Sequence, residues 1–180
     1  MSEPASDDAP KRARRDDLDG SLAIVGKSIT INRKRGELYA YWRDFSNLPT
    51  FMDNVRSIRF SGENRTVWTI KAPAGQTVEL ETEVTESVDG EVIGWQSTKD
   101  SEIETRGRVT FADAPAERGT IVTAEIGYTP PAGNLGRLVA KLFMAEPNIQ
   151  ARHELKRFKM LMEAGEIATG NPRKTTDGDS

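Results

Sequence analysis

The chain has 180 residues, a formal net charge of −3 and no cysteine. That length suits one domain with room for tails, and a body of about 150 residues buries roughly 70% of its extended-chain surface without covalent staples. The missing cysteines exclude disulfides, thiol nucleophiles and cysteine-ligated zinc, the charge offers no general attraction to nucleic acid, and no apolar run approaches the ~18 residues of a membrane span.

The N-terminal MSEPASDDAP has no apolar stretch of the kind a secretory signal needs, and a cytoplasmic location is expected. Residues 1–21 read as a disordered tail, because Leu18 is the only large aliphatic after Met1 in its first 20 residues. The run KRARR at 11–15 has two readings. It is an arm for phosphate or lipid headgroups, or it is a solvated stretch balanced by Asp7, Asp8, Asp16, Asp17 and Asp19. The surrounding acids favour the second. TGNPRKTTDGDS at the other end is also tail-like, so the folded body is expected over 22–168, with 169–180 as a second disordered tail.

The body begins with a β-branched segment, SLAIVGKSITI (21–31), which predicts a strand. Asn32 offers a helix N-cap, and Arg33 to Asp44 reads as a helix with Leu38, Tyr39, Trp42 and Phe45 on one side. Asn47 and Pro49 punctuate it, and LPTFM makes a second short helix or turn. Five of the twelve aromatics fall between Tyr39 and Phe51.

From residue 55 the period is two. VRSIRFSG and ENRTVWTIKAP meet through a turn at 62–64. In QTVELETEVTE (76–86), Val78, Leu80, Thr82 and Val84 oppose Glu79, Glu81 and Glu83. Asp89-Gly90 signals a hairpin into EVIGWQST. EIETRGRVTF (102–111) sets Ile103, Thr105, Gly107, Val109 and Phe111 against Glu102, Glu104, Arg106 and Arg108. GTIVTAEIGYT (119–129) is the last strand, stopped by Pro130-Pro131. The period then changes to helical in NLGRLVAKLFM. A terminal helix past Pro147 carries the stripe Ala151, Leu155, Phe158, Met162 and Gly165.

A run of antiparallel strands with one apolar face needs a cover, and the terminal helix is the one element long enough to supply it. A strongly curved sheet around one helix leaves space between them. The 41–55 segment then lies where the sheet does not close.

The sequence resembles the START-like (SRPBCC) superfamily. Within it, the chain is most similar to the polyketide cyclase/dehydrase-type bacterial branch, related to coenzyme Q-binding START-domain proteins. The resemblance rests on YWRDFSNLPTFMDNV, Trp68 with KAPAG, TEV at 82–84, IGWQS at 93–97, RGRVTF, GTIVT, YTPPAG and ELKRFKMLMEAGEI, and spans nearly the whole body. It implies an α+β helix-grip fold, with six or seven curved antiparallel strands around a long C-terminal helix and two short helices after the first strand. It also implies a deep apolar cavity for hydrophobic small molecules or lipids, with YWRDFSNLPTFM at its mouth.

Enzyme-grade signals are weak. His153 is the single histidine, flanked by Arg152 and Glu154 off the apolar stripe, and reads as a surface residue rather than a general base. No G-x-S-x-G and no glycine-rich phosphate loop occurs. No metal site and no cofactor is expected. Glu79, Glu81 and Glu83 share a wet sheet face and are expected to pair with the charged strand at 102–108; Glu83 alone is left between pairing with an arginine and capping a pocket rim. Gly94 and Gly107 read either as bends in the sheet or as room for a ligand.

The candidate ligand-binding set is Trp42, Phe45, Leu48, Phe51, Trp68, Trp95, Tyr128, Leu138 and Leu142, for each of which core packing is the competing role. The Tyr128 hydroxyl has the added capacity to orient a carbonyl. Transient membrane contact near Phe45, Leu48 and Phe51 would leave Trp42 and Phe51 exposed. Three functions compete. The best fit is a carrier for a lipid, quinone or polyketide-like molecule; the alternatives are a cyclase/dehydrase-type enzyme using the same cavity, and a protein-interaction domain with a filled core.

Overall fold

The computed structural model describes residues 23–101, 103–129, 133–134, 137 and 147–166. Both expected tails, the KRARR run and most of the expected helix over NLGRLVAKLFM, including Leu138 and Leu142, lie outside the described residues.

The strands are β1 (Ala23–Ile31), β2 (Val55–Gly62), β3 (Arg65–Lys71), β4 (Thr77–Val88), β5 (Val92–Ser97), β6 (Glu104–Asp113) and β7 (Thr120–Thr129). They form one seven-stranded sheet in the order β1-β7-β6-β5-β4-β3-β2, with every pair antiparallel. β2 to β7 is therefore a plain meander of hairpins, and β1 closes on its last strand. Gly90 takes φ +71 in the β4–β5 turn, the left-handed conformation that a tight hairpin demands and glycine tolerates.

Helix α1 (Arg35–Arg43) and a 3₁₀ turn at Phe45–Thr50 follow β1, and α2 (Pro147–Ala164) comes last. This is the helix-grip arrangement anticipated from the sequence. The α1 start differs. Lys34 occupies the cap position and gives no side-chain cap bond, whereas the Asn32 N–H donates to Glu163 Oε1 at 2.7 Å. The end of β1 is thus held by α2, which displaces the helix start by two residues.

The alternation in β4 and β6 is observed as expected, with Val78, Leu80, Thr82, Thr105, Val109 and Phe111 buried. The ion pairs differ from expectation. Because β5 separates β4 from β6, the β4 carboxylates meet arginines on the other side: Arg59–Glu79 at 3.7 Å, Arg65–Glu81 at 4.0 Å and Arg65–Glu83 at 3.9 Å. One link to β6 survives. Gly94 pairs with both Glu86 and Arg108, so no side chain stands between them, and Arg108 Nε donates to Glu86 Oε2 at 3.1 Å. Gly94 thus gives room to an ion pair on the convex face rather than to a ligand. These pairs are exposed and each contributes little, about 0–1 kcal/mol.

α2 is fastened at both flanks. Lys159 Nζ donates to the Thr30 carbonyl at 2.8 Å on one side. On the other, Arg157 Nε donates to the Phe51 carbonyl at 3.2 Å and its guanidinium meets Asp53 at 2.8 Å. Between the clamps, Leu155 and Phe158 enter the core. Among the described residues no helix is long and apolar enough to cross a membrane.

Phe158 has no exposed surface and touches three rings, so Phe158→Ala is expected to cost about 3–5 kcal/mol. The half-exposed Phe60 should give a change within about 0.5 kcal/mol on truncation. Urea unfolding of the two variants checks both values; a mild effect at Phe158 would place the helix face wrongly.

Candidate functional site

The concave face of the sheet changes character along its length. At one end it is an aromatic knot. Phe158 of α2 lies 4.8 Å from Phe51 and 5.2 Å from Trp42, ring centre to ring centre. Trp42 meets Phe51 at 5.1 Å and Phe111 at 6.4 Å. These are the edge-on and tilted geometries that aromatic quadrupoles favour. The helical spacing of α1 puts Leu38, Tyr39 and Trp42 on its buried side, and the 3₁₀ turn, with Pro49 inside it, returns Phe51 beneath them. The Tyr39 hydroxyl finds Ser87 Oγ at 2.7 Å. The Trp42 indole N–H is buried without a partner among the described residues.

Phe45 carries the apolar surface onward. Its ring stands edge-on to Trp68 and to Trp95, 5.8 Å from each. The two indoles, from β3 and β5, stack at 6.2 Å with 21° between planes, bridging β4. Trp95 lies flat over β6 because its register partner there is Gly107. A Cβ on Gly107 would come within 2.1 Å of Trp95 Cζ2. The space that glycine leaves is therefore filled by this chain's own indole.

Beyond the indoles comes a row of hydroxyls. Thr66 pairs with Thr82, Thr82 with Ser97, and Thr105 with Tyr128, while the Thr105 N–H donates to Ser97 Oγ at 3.0 Å and closes the row. It crosses β3 to β7, five strands, or about 19 Å at ~4.8 Å per strand. Thr66 and Thr82 Oγ1 lie 2.9 Å apart, and Trp68 Nε1 donates to both, at 3.0 and 3.1 Å. Thr105 Oγ1 donates to the Gly127 carbonyl at 3.0 Å. Burial pushes the Tyr128 phenol pKa up, so its hydroxyl stays protonated beyond the ordinary tyrosine range.

Of the sequence-predicted residues, Trp42, Phe45, Leu48, Phe51, Trp68, Trp95 and Tyr128 are all buried. Trp42, Leu48 and Phe51 belong to the knot end; Phe45, Trp68, Trp95 and Tyr128 border the hydroxyl row. The expectation that Trp42 and Phe51 are exposed for membrane contact is corrected. They are 2% and 0% exposed, because α2 brings Phe158 down onto both. Sequence reading gave no role to Thr66, Thr82, Ser97 and Thr105. The available signal was hydroxyl residues at inward strand positions, which becomes a row only once the strand register is known. His153 is exposed, 3.8 Å from Asp53. Glu83 pairs with Arg65 and accepts from Gln96 Nε2 at 3.1 Å on the convex face. No group of three or more histidine or acidic residues gathers as a metal site among the described residues.

The family described as "Polyketide cyclase / dehydrase and lipid transport" matches residues 31–156. A crystal structure of a protein from Deinococcus radiodurans is similar at 36% identity and a TM-score of 0.65, covering 80% of this chain and 100% of that one. A START superfamily protein from Mycobacterium smegmatis shares the fold at 12% identity and a TM-score of 0.51, over 74% of this chain and 98% of that one. The di-domain ARO/CYC of the steffimycin biosynthetic pathway shares it at 14% identity and a TM-score of 0.57, over 81% of this chain and 53% of that one. No protein of curated function matches.

Two outcomes are expected. Gly107→Ala must displace Trp95 and should cost about 1–3 kcal/mol, with a changed near-ultraviolet tryptophan circular dichroism. The Tyr128 effect has a definite sign. Its folded pKa is raised above the ordinary 10.0, so its contribution is full below about pH 10 and is lost as pH rises toward the folded value. Urea midpoints from about pH 9 to pH 11 should therefore fall more steeply in the wild type than in Tyr128→Phe.

Proposed function

The chain belongs to the polyketide cyclase/dehydrase and lipid transport family, and from that premise we propose that it binds a hydrophobic small molecule on the concave face as a carrier. The ligand class is a lipid, a quinone or a polyketide-like molecule. The observation that carries this reading is the pairing of a broad aromatic floor, Phe45, Trp68 and Trp95, with a few buried hydroxyls beside it. Small-molecule sites have this composition, apolar walls with a few placed polar groups. In this reading Phe45, Trp68, Trp95 and Tyr128 touch the ligand, and Trp42, Leu48 and Phe51 form the wall behind them.

One observation favours a cyclase/dehydrase-type activity as the second reading. The Tyr128 phenol is buried and, like any tyrosine, protonated near neutral pH, and a buried neutral donor of this kind stabilises charge building on a ligand carbonyl.

The test is extraction of the purified protein with organic solvent and mass spectrometry of the extract, with titration by a quinone and a fluorescent fatty acid followed through tryptophan quenching. A bound lipophile or saturable quenching is expected. An empty extract together with no uptake of either probe would overturn the carrier reading. Phe51→Ala separates wall from floor: it should destabilise by about 3–5 kcal/mol and leave uptake per folded molecule unchanged.

A further inference from the structure

We propose that Thr66, Thr82 and Ser97 form a two-point donor site that reads two neutral oxygens on one edge of an otherwise apolar ligand, a diketone-like rather than an acidic molecule. This rests on the binding reading above and narrows it to a ligand class.

The argument is a count of protons. Thr66, Thr82 and Trp68 together hold two hydroxyl protons and one indole proton. The indole proton is shared between the two threonine oxygens, at 3.0 and 3.1 Å. One hydroxyl proton makes the 2.9 Å link between the threonines. The other hydroxyl proton has no acceptor among the described residues, although Thr66 and Thr82 are 2% and 1% exposed. A buried donor without an acceptor is costly. Ser97 is half-buried rather than buried; its oxygen accepts from the Thr105 N–H, and its own proton has no acceptor among the described residues, which leaves it free to donate to a ligand.

The link between the threonines can run either way; with Thr66 as its donor, the free proton is on Thr82. Thr82 and Ser97 are register partners on adjacent strands, which then puts the two donors on the order of 5 Å apart. Two ligand acceptors at that spacing would satisfy both while the ligand's apolar body lies on the adjoining indoles. The row itself, Thr66, Thr82, Ser97, Thr105 and Tyr128, contains no cation. Lys27 stands at an inward register position on β1 opposite Ala124, two inward positions along from Tyr128. A carboxylate seated on hydroxyls alone would be buried without a counter-charge, which is strongly unfavourable. Neutral carbonyl or hydroxyl oxygens carry no such penalty.

The experiment compares tridecane-2,5-dione with tridecan-2-one, which share chain length and differ by one carbonyl. Each displaces 1-anilinonaphthalene-8-sulfonate from the full chain. The wild type should bind the dione about 3- to 10-fold more tightly, the worth of one net hydrogen bond. Ser97→Ala and Thr82→Val should each reduce that preference toward unity while the monoketone affinity stays within about 2-fold. Thr82→Ser, which restores the hydroxyl, should restore the preference. Ser97→Ala alone decides the matter if Thr82→Val does not fold, since Ser97 takes no part in the Trp68 network. Equal affinity for both ketones in the wild type, or a preference that survives Ser97→Ala, would overturn this inference and leave the carrier reading standing. Binding of neither ketone nor dye would overturn both.

Discussion

Everything in this molecule turns on how one apolar face of a seven-stranded sheet is kept from water. Among the described residues α2 is the one long helix laid across it, and its contact is concentrated in Phe158. That ring meets Phe51, Trp42 and Tyr41, so α1 and the 3₁₀ turn that follows it converge at one point with α2, which is distant in sequence from both. The polar clamps around it, Arg157 to the Phe51 carbonyl and Lys159 to the Thr30 carbonyl, fix orientation more than they add stability. Burial of each large ring is worth roughly 1.5–3 kcal/mol, against about 1 kcal/mol for a typical hydrogen bond.

Placing stability in the knot has a consequence for the rest of the concave face. The rings nearer the hydroxyl row come from strands that the meander already holds in register. Trp68 is fixed by Thr66 and Thr82, and Trp95 by the space above Gly107. Neither needs Phe158 to be placed. The face thus divides into an end that holds the fold and an end whose composition is open to a ligand's demands, with Phe45 touching both indoles at the boundary. The 41–55 segment, dense in aromatics, belongs chiefly to the first end. Its density reflects the need to join α1, the 3₁₀ turn and α2 in one packed contact.

The legible part of the sequence was the part governed by periodicity. Strict alternation in 76–86 and 102–111 identified strands and the faces they bury, and the stripe through Leu155 and Phe158 identified the covering helix. Errors arose where a distant partner overrides a local signal. Asn32 has the chemistry of an N-cap, but Glu163 takes its backbone N–H. The β4 carboxylates share a spacing with the charges of 102–108, but β5 intervenes and they find Arg59 and Arg65. Gly94 and Gly107 look alike in sequence; register puts one beneath an ion pair and the other beneath an indole. The hydroxyl row was illegible for the same reason. Threonine is common in strands for its β-branching, so no single one draws notice until register aligns five strands.

The hydroxyl row, buried except at the half-buried Ser97, sets a condition on the fold. Each buried hydroxyl proton without an acceptor costs about 1–3 kcal/mol, a sizeable fraction of the 5–15 kcal/mol that holds a domain together. The knot makes this tolerable, because its packing does not pass through the row. A ligand that accepts those protons removes the cost on binding, so ligand choice and added stability are linked through the same few atoms. In the proposed donor site, a purely hydrocarbon ligand would gain from the indoles alone and leave the hydroxyl cost in place. Selectivity there would follow from what the folded chain leaves unsatisfied as much as from what it offers.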